Sequence, residues 1–204
     1  THQIRDYATD KHHSVDDTVF GGAAGMLMKP NVLYDALEAV RSPQSHVVFL
    51  SPQGSLLTQD KARELAQKKH LVLLCGHYEG IDARITNHSV DEEISIGDYV
   101  LTGGELPAMV LIDTVVRRVD AVLGNPDSAA SDSHVEPLLQ YDEYTKPREF
   151  RGHEVPEILL SGNHQAIAAW RKENALENTK RKRPDLYARY MAENRDEGGI
   201  HGLH

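Results

Sequence analysis

Two polar residues stand out by where they fall in the chain. Asp132, inside Ser131-Asp132-Ser133, sits in a stretch without hydrophobic periodicity, where an acid has no packing role. Arg117 projects from an otherwise apolar helical pattern. A carboxylate that removes a proton, paired with a guanidinium that steadies the negative charge left behind, is a recurrent acid–base arrangement. A solubilising loop acid and a surface arginine would carry the same letters, and spacing alone leaves both readings open. A second pattern lies in the glycines, which gather where apolar runs end. Gly54 closes Leu50-Ser51-Pro52-Gln53-Gly54, and Gly76 and Gly80 bracket Gly76-His77-Tyr78-Glu79-Gly80. Gly97, Gly103 and Gly104 punctuate Ser95-Ile96-Gly97-Asp98-Tyr99-Val100-Leu101-Thr102-Gly103-Gly104-Glu105. Ligands of parallel α/β sheets lie beyond the carboxyl ends of the strands, and glycine lets main chain approach them closely. Three such loops together suggest a small-molecule pocket lined by main-chain groups. Any one of them alone reads as an ordinary turn.

Familiar alternatives fail on spacing. No Gly-x-Gly-x-x-Gly follows a strand and no Gly-x-x-x-x-Gly-Lys-Ser/Thr occurs, which speaks against common dinucleotide and P-loop chemistry. Gly21-Gly22-Ala23-Ala24-Gly25 matches a phosphate cradle only loosely. The chain has 12 histidines, yet no His-Glu-x-x-His, and the adjacent pair His12-His13 lacks the i, i+4 spacing that chelates from one helix face. No metal ligand set is assigned. No nucleophile elbow Gly-x-Ser-x-Gly occurs either.

These residues need a scaffold, and the first 145 supply one. Val47-Val48-Phe49-Leu50 and Leu71-Val72-Leu73-Leu74 are unbroken β-type runs, as in strands buried on both faces. Between them, residues 58–69 read as a helix with Thr58 as N-cap and Ala62, Leu65 and Ala66 on one face. Residues 31–41 read as another, with Leu33, Ala36, Leu37 and Val40 at helical spacing. Strand, helix, strand of this length is a βαβ unit with a parallel sheet, so the fold class is α/β. Residues 107–123 carry the strongest helical pattern, with Pro107 in the first turn and Gly124 placed to stop it. Periodicity then fails across 125–150, around Pro126, Pro137 and Pro147, which marks a functional loop or linker. Beyond it, residues 155–160 and 163–182 read helical, the second capped by Asn163 and ended before Pro184. The expected organisation is a cofactor-binding domain over 1–124, a flexible linker over 125–150, and a small helical basic domain over 151–204. His201 and His204 fall in a glycine-rich tail expected to be mobile.

Charge supports two units with different partners. The chain of 204 residues carries a net charge of −9, which argues against a surface that clings everywhere to nucleic acid. The total hides an uneven spread. Residues 1–145 hold 11 Lys/Arg against 22 Asp/Glu, whereas residues 146–190 hold 10 against 6. The densest basic point is Lys180-Arg181-Lys182-Arg183. It reads either as a nucleic-acid patch or as a solvated helix end, where cations are favoured. The single cysteine, Cys75, excludes an internal disulfide and suits a reducing, cytoplasmic compartment. No run approaches the roughly 20 apolar residues of a membrane span, and no signal-peptide pattern opens the chain.

Taken together, the motifs resemble the bacterial tRNA (guanine-N1)-methyltransferase family, TrmD, over essentially the whole chain. The matching stretches are Arg5-Asp6-Tyr7 with Asp10-Lys11-His12, Val15-Asp16-Asp17, Leu50 to Gly54, Cys75 to Asp82 and Ser95 to Glu105. Val122-Leu123-Gly124, Asp132-Ser133, Tyr144-Thr145-Lys146-Pro147 and Val155 to Asn163 complete the series. The resemblance implies a trefoil-knotted parallel sheet flanked by helices, of the SPOUT type, with S-adenosylmethionine held in a bent conformation. It implies a homodimer with tRNA and active sites at the interface, and methyl transfer to N1 of the guanosine at position 37. The implied cofactor residues are Leu50 to Gly54, Gly76, Tyr78, Gly80, Ser95 to Leu101, Gly103, Gly104 and Pro107. Asp132 is the implied base for the N1 proton, Arg117 the stabiliser of charge on O6, and Glu79 a member of the cofactor and substrate loop. Magnesium is associated with the activity, with no ligand set visible in this sequence. The small basic domain is implied to hold tRNA phosphates, and the first strand of the sheet to precede Thr1. The chain departs from the family pattern at Phe20 to Met26, where typical members carry Tyr-Gly-Gly-Gly-Pro-Gly-Met. It departs again at His77, His134 and Gln140. A SPOUT enzyme acting on another RNA, or a non-catalytic RNA-binding protein, would share parts of this pattern. The former lacks a reason for the linker and basic domain, and the latter a reason for the cofactor loops and Asp132.

Overall fold

The apolar run at Val47 extends into a long strand because β-branched and aromatic side chains fit a surface covered on both sides. In the computed structural model, which describes residues 1–119, 134 and 137–198, this strand is β3, Ser45–Leu56. Before it come a short hairpin, β1 Asp16–Thr18 with β2 Met26–Met28, and helix α1, Pro30–Val40. After it come α2 Gln59–Ala66, β4 His70–Cys75, α3 Ala83–Ser89, β5 Glu92–Ser95 and α4 Glu105–Val116. The sheet order is β4-β3-β5, and both pairings are parallel. Helices therefore cross between strands, and the α/β class with a helix-flanked parallel sheet holds.

Strand alternation splits the core in two. Val47 and Phe49 pack on one face with Leu33 and Leu37 of α1 and Ile85 of α3. Val48 and Leu50 pack on the other with Ala62 and Leu65 of α2 and Leu111 and Val115 of α4. Thr58 caps α2 as expected, its side chain accepting from Lys61 N–H at 3.2 Å. The helix expected over 107–123 begins two residues earlier, at Glu105, and its helical stretch ends at Val116. The stop expected at Gly124 lies outside the described residues.

One irregularity shapes the site. Leu50 and Ser55 both face Ile94 of β5, so residues 51–54 leave the ladder and return to it. Gly54 makes that return feasible, since a Cβ there would lie 2.4 Å from the backbone of Glu93 and Ile94.

The chain divides into two compact units, Thr1–Val122 and Leu123–His204. The second holds a small hairpin, β6 Glu149–Phe150 with β7 His153–Glu154, and two helices, α5 His164–Lys182 and α6 Pro184–Gly198. Asn163 caps α5 by accepting from Ala166 N–H at 3.2 Å. The helix ends at Arg183, before Pro184, which then opens α6 with no intrahelical donor to lose. Residues 155–160, expected as a helix, form a single 3-10 turn, Glu157–Leu160, after Pro156. Residues 137–145, read from the sequence as linker, lie against α5. Leu139 N–H donates to Thr179 Oγ1 at 2.8 Å, and Asp142 N–H to Asn174 Oδ1 at 2.7 Å. Asn178 and Asn174 amides donate back to the Asp142 carboxylate at 2.9 and 3.2 Å.

Candidate active site

The three glycine loops converge at the carboxyl end of the sheet, as a parallel α/β architecture directs. They enclose a cavity of about 360 Å³, within the range of small-molecule pockets. The segment that leaves β3 contributes Leu50, Ser51, Pro52 and Gln53. The loop after β4 contributes Gly76, His77, Tyr78, Glu79 and Gly80. The loop after β5 contributes Ser95, Ile96, Gly97, Tyr99, Val100, Leu101, Gly103 and Gly104, and Pro107 comes from the first turn of α4. Two residues from the same stretches, Gly54 and Asp98, are not on the wall. Gly54 instead packs on the β5 backbone. Other wall residues carried no motif: Phe49 beneath the loops, and Ala83 and Thr86 on α3. Helix α3 has a single buried residue, Ile85, so no apolar stripe announces it.

The loops after β4 and β5 are laced together. Gly104 N–H donates to the Gly76 carbonyl at 2.9 Å, and His77 and Gly103 form an antiparallel bridge. Over that bridge, His77 Nε2 lies 2.5 Å from Glu105 Oε1. A Cβ at Gly103 would sit 2.5 Å from Glu105 Oε2 and 2.8 Å from His77 Cε1, so a side chain there would displace the pair as it stands. Burial pushes the Glu105 carboxyl up, but the hydrogen bonds from His77 and its own backbone N–H outweigh this and hold it below the usual carboxylate range. Burial, with the charge of Glu105 second, pushes the Cys75 thiol up to about 11. A thiol so protonated at neutral pH is a poor nucleophile.

The β1–β2 hairpin flanks the same loop. Glu79 N–H donates to the Met26 carbonyl at 3.0 Å, and Met28 N–H to the Gly80 carbonyl at 3.0 Å. The glycine-rich turn of that hairpin thus comes up against Glu79, whose Oε1 lies 2.7 Å from where a Cβ of Gly25 would be. Tyr78 has φ of 59°, left-handed backbone that a tyrosine rarely adopts. Arg117 is exposed at the C-cap of α4 and is not on the cavity wall. Asp132 lies outside the described residues. Among the described residues, no group of three or more His, Cys, Asp or Glu is placed to hold a metal ion. No helix among them is long and apolar enough to cross a membrane.

The family model described as tRNA (Guanine-1)-methyltransferase TrmD matches residues 1–189. A tRNA (guanine-N(1)-)-methyltransferase of Finegoldia magna is 59% identical over 196 residues, covering 96% of this chain and 84% of that protein. The proteins of the same name from Carboxydothermus hydrogenoformans and Dehalococcoides mccartyi are 56% and 53% identical. They cover 90% and 91% of this chain, and 72% and 76% of their own lengths are matched. The three-loop cavity of this parallel sheet therefore sits in a chain that belongs to the tRNA (guanine-1)-methyltransferase TrmD family.

Proposed function

We propose that the cavity binds S-adenosylmethionine and that the chain transfers its methyl group to N1 of guanosine 37 of tRNA. Family membership makes the chain a tRNA (guanine-N1)-methyltransferase. The observation that carries the cofactor assignment is the convergence of three main-chain loops on one cavity of about 360 Å³. Main-chain N–H and carbonyl groups from the loops after β3, β4 and β5 would hold the cofactor, with Pro107 and Tyr78 against its apolar parts. The bound cofactor supplies an electrophilic methyl group on a sulfonium. The protein's own task is then the nucleophile. Guanine N1 attacks poorly until its proton leaves, and its departure spreads charge onto O6. Asp132 is the residue we assign to take that proton, Arg117 to steady O6 by its fixed guanidinium charge, and Glu79 to the substrate side of the loop. Magnesium finds no group of three or more His, Cys, Asp or Glu placed to hold it among the described residues.

The finer fold and assembly belong to the same reading. We infer a SPOUT-type trefoil knot from family membership, and a cytoplasmic homodimer with active sites at its interface. Support for the dimer comes from α4. Leu106, Met109, Ile112 and Val116 recur at three- and four-residue steps and are 40–65% exposed. Val100, at the pocket's edge, is 81% exposed. Apolar surface gathered like this marks an interface more often than open solvent. The test is mass analysis of a tRNA transcript incubated with protein and S-adenosylmethionine, with and without a guanosine before the target. A gain of one methyl on guanosine 37 is expected. No methylation, with cofactor bound, would overturn the proposal.

A further inference from the structure

Two groups of cations in the second unit look alike in sequence and differ in the structure. In the run 180–183 every cation is engaged within the unit. Lys180 Nζ lies 6.0 Å from the Tyr187 ring centroid, and Arg181 donates to Asn178 Oδ1 at 2.9 Å. Lys182 pairs with Asp142 at 3.8 Å, and Arg183 forks onto Asp185 with Nε at 2.8 Å. The β6–β7 hairpin contrasts with it. All of residues 146–154 are exposed, and the side chains of Lys146 and Arg148 make no ion pair or hydrogen bond among the described residues.

The hairpin tip adds backbone strain. Phe150 pairs with His153, and Arg151-Gly152 closes the turn at φ of 53° and 82°. Two positive φ angles suit a two-residue hairpin, but asparagine or glycine takes the first of them far more readily than arginine. An arginine held there at an exposed tip, with no core to fix it, points to a use for its side chain. That side chain lies over the Phe150 ring at 5.3 Å, and Phe150 is 61% exposed. The Glu149 carboxylate faces inward, accepting from Gly152 N–H at 2.8 Å, and so is turned toward the turn's own backbone. Exposed aromatics flanked by unpaired cations are how sequence-tolerant sites grip single-stranded nucleic acid.

We propose that the 146–154 hairpin is the RNA-contact surface of the second unit. An unpaired nucleobase of the tRNA stacks on Phe150 beside Arg151, and Lys146 and Arg148 meet the phosphates next to it. This rests on the tRNA reading above and narrows it from a basic domain to one hairpin. The run at 180–183 serves instead as a helix end.

The experiment measures binding of full-length protein to a tRNA transcript at several salt concentrations, with methylation recorded in parallel. Phe150→Ala should weaken binding about tenfold without changing the salt slope. Phe150→Trp should retain affinity, and Phe150→Leu should lose it as alanine does. Lys146→Gln and Arg148→Gln should each lower the slope of log affinity against log salt by about 0.7–0.9, one phosphate contact apiece. Arg151→Asn keeps the turn and should weaken binding several-fold. Glutamine at all of 180–183 should move the slope less than the Lys146 and Arg148 changes do together. If the wild type binds and methylates tRNA while the hairpin variants bind as well as it does, the hairpin proposal is overturned and the enzyme reading stands. Leucine at 150 binding like phenylalanine would overturn the stacking role. Failure of the wild type itself to bind tRNA would instead overturn the reading beneath it.

Discussion

The two units are stabilised by different means. The first buries aliphatic side chains on both faces of its sheet, with Val48, Leu65 and Ile94 at 0% exposure. The second buries Ala175 beside Asn178 and Thr179, two polar residues at 2% and 0% exposure, and ties residues 137–145 to α5 through them. Apolar burial is non-directional and tolerates movement in small steps. Polar burial is directional, since a missing partner leaves a group unsatisfied. The first unit is thus built to hold loops around a cavity. The second sets one segment at one register along a helix.

The largest test separates the units by function. Asp132 falls in the second unit's stretch of chain, whereas the proposed cofactor loops all lie in the first. Asp132→Ala should lower kcat by about 10²–10⁴-fold while leaving cofactor affinity within twofold, as loss of a general base predicts. Calorimetry with the demethylated cofactor, beside single-turnover methylation, reads both. Weakened cofactor binding with normal turnover at saturation would join the two regions that the comparison keeps apart.

Stability changes come next. Leu65→Ala opens a cavity in the aliphatic core and should cost about 2–5 kcal/mol. Asn178→Ala removes a donor to the part-exposed Asp142 carboxylate, which keeps Asn174 and Lys182 as partners, and should cost about 0.5–1.5 kcal/mol, the net contribution of one hydrogen bond. Denaturant melts followed at Trp170, which lies in α5, report the second unit directly. If Asn178→Ala were the costlier change, the contrast would be inverted.

The smallest effect is in pH. Hydrogen bonds from Asn178 and then Asn174, with the positive charges of Lys182 and Arg181 assisting, hold the Asp142 carboxyl below its ordinary value of 3.8. A group depressed in the folded state stabilises above its unfolded value, and that contribution disappears as pH falls through the folded one. The second unit should therefore lose stability below about pH 4. Asp142→Asn should flatten that slope and lower stability at neutral pH, where the ionised carboxylate makes its contribution. An identical acid slope in the variant would remove Asp142 from the account.

The same contrast explains what could be read from the letters. Val47 to Leu50 and Leu71 to Leu74 are apolar runs, and they mark β3 and β4 because burial on both faces writes itself into composition. The cavity loops were legible because glycine is required where main chains close in, as at Gly104 against the backbone of Cys75 and Gly76. Thr86 was not, since α3 is seven residues long with one buried side chain. Residues 137–145 hid for another reason: Asp142, Asn174 and Asn178 look like surface polar residues until the helix brings them together. Helix α6 hid behind Pro184, which ends one helix and begins the next. Its half-buried stripe of Leu186, Tyr187 and Tyr190 is short. The 180–183 run shows what the letters hide in another way, since each of its four adjacent cations has an intramolecular partner in the structure.

Cys75 has a practical consequence for anyone who wishes to attach a reporter to this chain. It is the only cysteine in the sequence, and its thiol is held at about 11. An unhindered surface thiol ionises near 8.5, so at neutral pH it offers two to three powers of ten more thiolate. A dye-bearing maleimide should therefore choose an engineered surface cysteine and spare the native one, with no need to remove it. The native thiol should react slowly with the same reagent, because so little of it is thiolate at neutral pH.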